Sequence, residues 1–289
     1  MAISRWQAVV LLTPLLLVLL PFLIWPAAFG FIASFTNYAP VQLQSHLVGL
    51  ANYRQVLGDS QFRIALRNVG VFSLVSVPAE LALGFGVAYL LRRPFRGRGW
   101  LRVTLLIPWL VSPIGTGVMW HFLFNSNYGL LGFWFACLRL PSPPSPLGLT
   151  RFALPAAIAI DVWRKAPLAS FLLLPGLLSI PNDQWEQLTL DGASLPMRVR
   201  HVALPWLRSL ILTVALLLLG DALGTFDSML ILTGGGPGTA TLTPGLYSYW
   251  QAVQVKNWPV GATSAWLITG FVLLAGTIYI GLVRPEAER

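Results

Sequence analysis

Long apolar stretches alternate with short polar ones along this chain. Six of them reach the roughly 20 mostly apolar residues that a helix needs to cross a bilayer. They lie at about 9–34, 68–91, 103–124, 152–178, 209–231 and 261–283. Prolines fall inside several, among them Pro21, Pro78, Pro108, Pro113, Pro155, Pro167 and Pro175. In water these would break helices. In a bundle, neighbouring helices and local adjustments satisfy the freed backbone groups, so bent helices are expected rather than missing ones. No small-residue cleavage pattern follows the first run, which reads as a retained helix. The pattern predicts an all-α polytopic membrane protein with six transmembrane helices in one transmembrane domain, residues 1–289. Helices two to five, 68–231, form its core.

Composition strengthens that reading. Hydrophobic residues make up 56% of the 289 positions and charged residues 10%, and mean hydropathy is +0.70. Soluble proteins carry about 25% charged residues, so these charges could not cover a water-soluble globule. A soluble enzyme, a disordered regulator and a nucleic-acid module are disfavoured together. The net charge of +9 fits the cytoplasmic excess of Arg in membrane proteins better than a nucleic-acid partner.

Orientation follows from that excess. With a cytoplasmic N-terminus, 11 Lys and Arg fall in the inside segments and 6 in the outside ones. The run RRPFRGRGWLR, residues 92–102, is the strongest single contribution. Both termini are expected inside. One cysteine, Cys137, excludes an internal disulfide, and His46, His121 and His201 have no metal-ligand spacing. No metal and no catalytic residue is predicted.

The segment between spans four and five, residues 179–208, has its own pattern. Pro181 can open a helix and Asn182 or Asp183 can cap it, with Asp183 and Glu186 near its positive end. Trp185, Leu188 and Leu190 offer apolar contacts. Gly192 permits a sharp turn. A short helix, a glycine turn and a second short segment are expected, lying outside the bilayer. From the residues alone, an interfacial anchoring helix remains open.

This segment resembles the EAA loop of bacterial ABC importer permeases, in which E-A-A is followed after three residues by G and after nine more by I-x-L-P. Glu186, Gly192, Val202, Leu204 and Pro205 stand at those spacings, and Asp191-Gly192-Ala193 matches the DGA of the sugar-transport branch. Gln187 and Leu188 replace the two alanines. GLANYRQVLGDSQFRIALRNV (49–69), LIPWLVSPIGTGVMWHFLFNSNYGLLG (106–132), DVWRKAPLASFLLLPGLLSIP (161–181) and FDSMLILTGGGPGTAT (226–241) are similar to successive segments of the maltose and glycerol-phosphate type of permease.

The resemblance implies a subunit of an ATP-driven importer for a carbohydrate, in the bacterial cytoplasmic (inner) membrane among lipid. It implies a second homologous permease in a heterodimer, two ATP-binding subunits that carry ATP and Mg, and an extracytoplasmic solute-binding protein. Glu186, Asp191, Gly192, Ala193, Leu204 and Pro205 would couple to the ATPase. This chain would bind no cofactor. It has no G-x-x-x-x-G-K-[ST], and its Gly234-Gly235-Gly236-Pro237 run lacks the Lys that phosphate binding needs.

Ionisable residues inside spans are costly and often functional. Asp161 precedes Arg164 and Lys165 by three and four residues, which places them on one side of a helix. By position in the resembled family, Asp161, Trp163, Arg164, Lys165 and Leu168 would line the substrate path with Asp221, Gly224, Thr225 and Phe226. A structural ion pair is the competing reading. Glu80 reads as structural. A polyol phosphate remains open as the substrate, because Arg164 and Lys165 suit an anion. A secondary carrier is less favoured, since six spans are few for inverted repeats. A membrane-embedded enzyme lacks a G-x-S-x-G or a paired-acid site.

Overall fold

The computed structural model describes residues 13–15, 17–39, 45–141, 143–190 and 192–287. The elements in chain order are α1 (Thr13–Ser34), α2 (Ala51–Gly58), α3 (Ser60–Arg92), α4 (Arg98–Leu110), α5 (Pro113–Leu123), α6 (Leu130–Cys137) and α7 (Thr150–Leu178). They continue with α8 (Asn182–Leu190), α9 (Leu195–Trp206), α10 (Arg208–Leu223), α11 (Asp227–Leu232), α12 (Pro244–Tyr249) and α13 (Trp258–Ala287). No strand forms among the described residues beyond a single antiparallel bridge between Thr36 and Leu47.

Three helices are long and apolar enough to cross a membrane by themselves, namely α1, α3 and α13 up to Tyr279. Counting each of two bent pairs as one span raises the number to five. α7 fails the same test because Asp161, Arg164 and Lys165 sit in its middle, yet its 29 residues reach about 43 Å. Two predicted spans are broken. The third, 103–124, bends within its proline-containing stretch, where α4 and α5 meet at 91°. Ser112 turns there, its Oγ accepting from the Gly115 amide at 3.1 Å, and Pro113 opens the next helix. The fifth, 209–231, stops at Leu223, and α11 begins only after a break at Gly224–Phe226. The prolines within α3, α4 and α7 do not interrupt those helices.

The chain divides into two compact units. The first comprises Met1–Arg63 with Tyr247–Thr269. Its polar joints cluster at the end of α1. Asn52 Nδ2 donates to the carbonyls of Ser34 and Thr36 at 2.8 Å each. Thr263 Oγ1 donates to the Ser34 carbonyl at 3.3 Å. Asp59 starts α3, with Oδ1 accepting from the Gln61 amide at 2.8 Å and Oδ2 accepting from the buried Tyr247 hydroxyl at 2.7 Å. Burial and the Asp59 carboxylate push the Tyr247 phenol upward from its ordinary range.

The second unit comprises Ile64–Leu246 with Gly270–Arg289. α7 is its central helix and buries fourteen residues from Ala153 to Leu177. Close approach needs small residues. A Cβ at Gly84 of α3 would lie 2.5 Å from Ala169 Cβ, and one at Gly176 of α7 would lie 2.5 Å from Leu210 Cδ2. α4 packs on α7 and α11 on α5. The Gly/Thr-rich segment after α11 is tied down by Asn68, whose Nδ2 donates to the carbonyls of Thr239 at 2.8 Å and Leu242 at 3.0 Å. The long apolar core and these few satisfied polar joints hold α7 against α3 and α10, and that arrangement sets the charged site.

Candidate functional site

The helical spacing of α7 brings Asp161, Arg164 and Lys165 together. Lys165 Nζ lies 2.7 Å from Asp161 Oδ2, and Arg164 Nη2 lies 3.4 Å from Asp161 Oδ1. Both cations also meet Asp221 of α10. Lys165 pairs with its Oδ2, and Arg164 Nη2 lies 3.9 Å from the same oxygen. Asp161 and Lys165 are 5% and 3% exposed, whereas Asp221 is 59% exposed. The network therefore runs from the core of the unit to an open surface. Glu80 of α3 is fully buried and interacts electrostatically with Asp161, Lys165 and Asp221. Two carboxylates thus pair with two cations, and the buried Glu80 carboxyl lies within reach of their field. Isolated buried charge is too costly to keep, so each of these side chains depends on the others.

The open side of this network faces a cavity of about 350 Å³, lined by Trp109, Arg164, Lys165, Leu168, Leu172, Leu217, Leu218 and Asp221. Five of the residues expected on a substrate path therefore converge: Asp161 behind, and Arg164, Lys165, Leu168 and Asp221 on the wall. Four do not. Trp163 packs edge-on against Trp120, with ring centroids 5.4 Å apart. Gly224 terminates α10. The Thr225 carbonyl accepts from Thr243 Oγ1 at 2.9 Å. Phe226 precedes α11, and a Cβ at Gly245 would lie 3.3 Å from its Cβ. These last three build the break between α10 and α11. Trp109 is the residue missed, and Glu80, read as structural, joins the network from α3. Trp109 reaches the cavity only through the packing of α4 on α7, which has no local sequence signal. Glu80 did carry one, as a lone acid in an apolar span.

The second candidate region is the segment after α7. A short helix, a glycine turn and a second helical segment are all present. Glu186 is exposed on α8, while Trp185 is buried. The Arg92 guanidinium stacks 3.7 Å above the Trp185 ring and lies 5.3 Å from the Tyr89 centroid. Gly192 adopts φ +66°, the left-handed region in which glycine carries no Cβ penalty. The Ala193 amide donates to the Leu188 carbonyl at 2.9 Å, and Arg198 Nε donates to the Ala193 carbonyl at 2.8 Å. Leu190 is 87% exposed, Leu195 55% and Leu204 43%, and Pro205 lies beside Leu204 on the surface. Asp191 lies outside the described residues. A glycine turn flanked by exposed apolar side chains suits insertion into a partner.

Residues 80–284 match the family described as binding-protein-dependent transport system inner membrane component. The chain belongs to that family. This permease is 34% identical over 274 residues to the trehalose/maltose transport system permease protein MalF of Thermococcus litoralis, covering 95% of this chain and 92% of that one. It is 28% identical over 295 residues to the sulfoquinovosyl glycerol transport system permease protein SmoG of Agrobacterium fabrum, covering 98% and 92%. Its fold superposes with a TM-score of 0.82, at 18% identity, on a chain in the crystal structure of a bacterial alginate ABC transporter bound to an alginate-loaded periplasmic protein. That match covers 97% of this permease and 94% of the other chain. The permease is thus a membrane-embedded subunit of an ABC importer, a transport component and not an enzyme. The ATPase subunits of such importers are separate chains.

Proposed function

We propose that this permease forms half of the translocation pore of a carbohydrate importer in a bacterial cytoplasmic membrane. In this reading the whole chain acts as one permease domain with six spans and both termini in the cytoplasm. α7 supplies the fourth span, and each bent or broken segment around α4–α5 and α10–α11 supplies one. The arginine bias supports this orientation, as does the cavity that Arg92, Arg93 and Arg198 share, since it joins the two arginine-rich loops on one side. A second, homologous permease completes the pore, and two ATP-binding subunits grip the α8–α9 segment of each. A solute-binding protein delivers substrate from outside.

The observation that carries the substrate class is the cavity beside α7 and α10. Both of its cations are already neutralised by Asp161 and Asp221. The wall therefore offers hydrogen-bonding groups without net positive charge, next to the ring of Trp109. That combination suits a neutral, hydroxyl-rich ligand with apolar ring faces. It disfavours the polyol phosphate, which would need an uncommitted cation. The relative named for trehalose/maltose is named for neutral disaccharides, in keeping with this reading, whereas the one named for sulfoquinovosyl glycerol is named for a glycoside that carries a sulfonate.

In this mechanism Gly192 sets the turn and Glu186 meets the ATPase, with Ala193, Leu204 and Pro205 shaping the apolar contact and Asp191 beside the turn. Closure of the ATPases on ATP displaces α8. α8 follows α7 directly, so the displacement reaches the Asp161–Lys165 segment and its pairing with Asp221 on α10. The cavity then opens toward one side of the membrane or the other.

The test is uptake into proteoliposomes containing the purified complex, its binding protein and internal ATP. Neutral di- and oligosaccharides should be imported, and Trp109→Ala should lower uptake at least tenfold with ATPase subunits still bound. Import of phosphorylated polyols alone would overturn the substrate class. Uptake that persists without ATP would overturn the importer reading for this chain.

A further inference from the structure

A second cavity, about 300 Å³, lies at the base of the coupling segment, where the ends of α3 and α7 meet α8 and α9. Arg92, Arg93 and Arg198 line it, with Glu186, Trp185 and Asn182. Arg93 is exposed, and Arg92 and Arg198 are half-buried. Three guanidinium groups thus face one carboxylate. Arg93 and Arg198 are close enough to Arg92 for mutual repulsion. Among the described residues none of the three forms an ion pair, and Arg92 Nε is buried without a hydrogen-bond partner. Trp185 holds the Arg92 plane by stacking and Ala193 holds Arg198 by a hydrogen bond. Arg92 and Arg198 are therefore held in position while their forks stay available, and exposed Arg93 stands beside them.

We infer that this cavity binds an oxyanion of phosphate type, supplied by the headgroup of an anionic phospholipid of the inner leaflet. Planar guanidinium forks recognise such oxygens in pairs, and basic pockets at the cytoplasmic ends of spanning helices suit anionic headgroups. The bound phosphate removes the repulsion among the three arginines. It also bridges Arg92 and Arg93, at the end of α3, to Arg198 on α9. Lipid composition thereby sets how firmly the coupling segment is braced against the spanning helices. The site rests on the importer reading only for the side of the membrane it faces.

The full chain, with whatever subunits accompany it, is placed in nanodiscs of phosphatidylcholine with or without phosphatidylglycerol. Native mass spectrometry counts retained phosphatidylglycerol, and hydrogen exchange follows residues 182–198. Retained lipid and slowed exchange are expected. Arg93→Gln with Arg198→Gln should weaken retention about thirtyfold, and Arg96→Gln, outside the cavity, should leave it unchanged. Arg93→Lys with Arg198→Lys keeps the charge without the fork, and its retention should fall between wild type and the Gln pair. If the Lys pair loses it as fully as the Gln pair, packing rather than charge is responsible and the proposal falls. Equal retention in all variants also overturns it. Slowed exchange on adding inorganic phosphate to phosphatidylcholine discs, with no phosphatidylglycerol retained, would keep the anion site and reassign its source to free phosphate. A preparation lacking ATPase subunits would count against the importer reading while lipid retention still decides this one.

Discussion

Removing the Lys165 ammonium tests the charged network most directly. Lys165 is 3% exposed and its Nζ lies 2.7 Å from a carboxylate that is 5% exposed. At an effective dielectric of about 20, that separation corresponds to an attraction of about 6 kcal/mol, most of which offsets the desolvation of the two groups. Lys165→Met deletes the attraction and leaves the cost, because Asp161 and Asp221 then share Arg164 alone. Breaking a buried pair typically costs 3–5 kcal/mol, and about 3 kcal/mol is expected here because Arg164 stays 3.4 Å from Asp161. Asp161→Asn combined with Lys165→Met removes both charges and should be less damaging than Lys165→Met alone. The assay is reversible unfolding of the assembled complex in rising SDS mole fraction, followed by far-ultraviolet circular dichroism and analysed as a double-mutant cycle. Additive single effects, or an unshifted midpoint for Lys165→Met, would refute the claim that these charges sustain one another.

Three further outcomes follow from the packing. Gly192→Asp places a side chain in the left-handed region at a local cost of about 1–2 kcal/mol. A Cβ there meets nothing within 4 Å beyond its chain neighbours, so bulk and charge can project toward the partner; ATPase co-purification and uptake should both fall at least tenfold, and normal values would contradict a coupling role. Gly84→Ala drives a methyl to 2.5 Å from Ala169 Cβ and 2.9 Å from the Ser170 amide nitrogen, and should cost about 1–3 kcal/mol of stability, visible as a lower SDS midpoint. Tyr247→Phe removes the hydroxyl bonded to Asp59. Because the folded phenol titrates above the ordinary value of about 10, its contribution is complete below that pH and is lost as pH rises past it. The wild-type midpoint should therefore approach that of Tyr247→Phe in strongly alkaline buffer, and parallel pH profiles would rule this out.

Much of this permease was legible in one dimension because bilayer crossing is a composition rule. Apolar length alone located α1, α3, α7, α10 and α13, and the spacing of Asp161, Arg164 and Lys165 on one helix face foretold their pairing. The geometry of the 179–208 segment was equally readable, since a helix-opening proline, a glycine turn and fixed spacings are local properties. What the chain order could not convey was every event that depends on a neighbour. Pro113 signalled a bend in the third span, but not its 91° angle, which belongs to the packing of α4 on α7 and of α5 on α11. The break at Gly224–Phe226 is held by Thr243 and Gly245 from a later segment. Glu80 enters the charged network because Gly84 lets α3 approach α7 closely, and Trp109 reaches the cavity because α4 lies on α7. Hydrophobicity is a property of each residue and survives in the sequence. The partners of buried charges are set by the packing of separate helices, and only the tertiary structure holds that information.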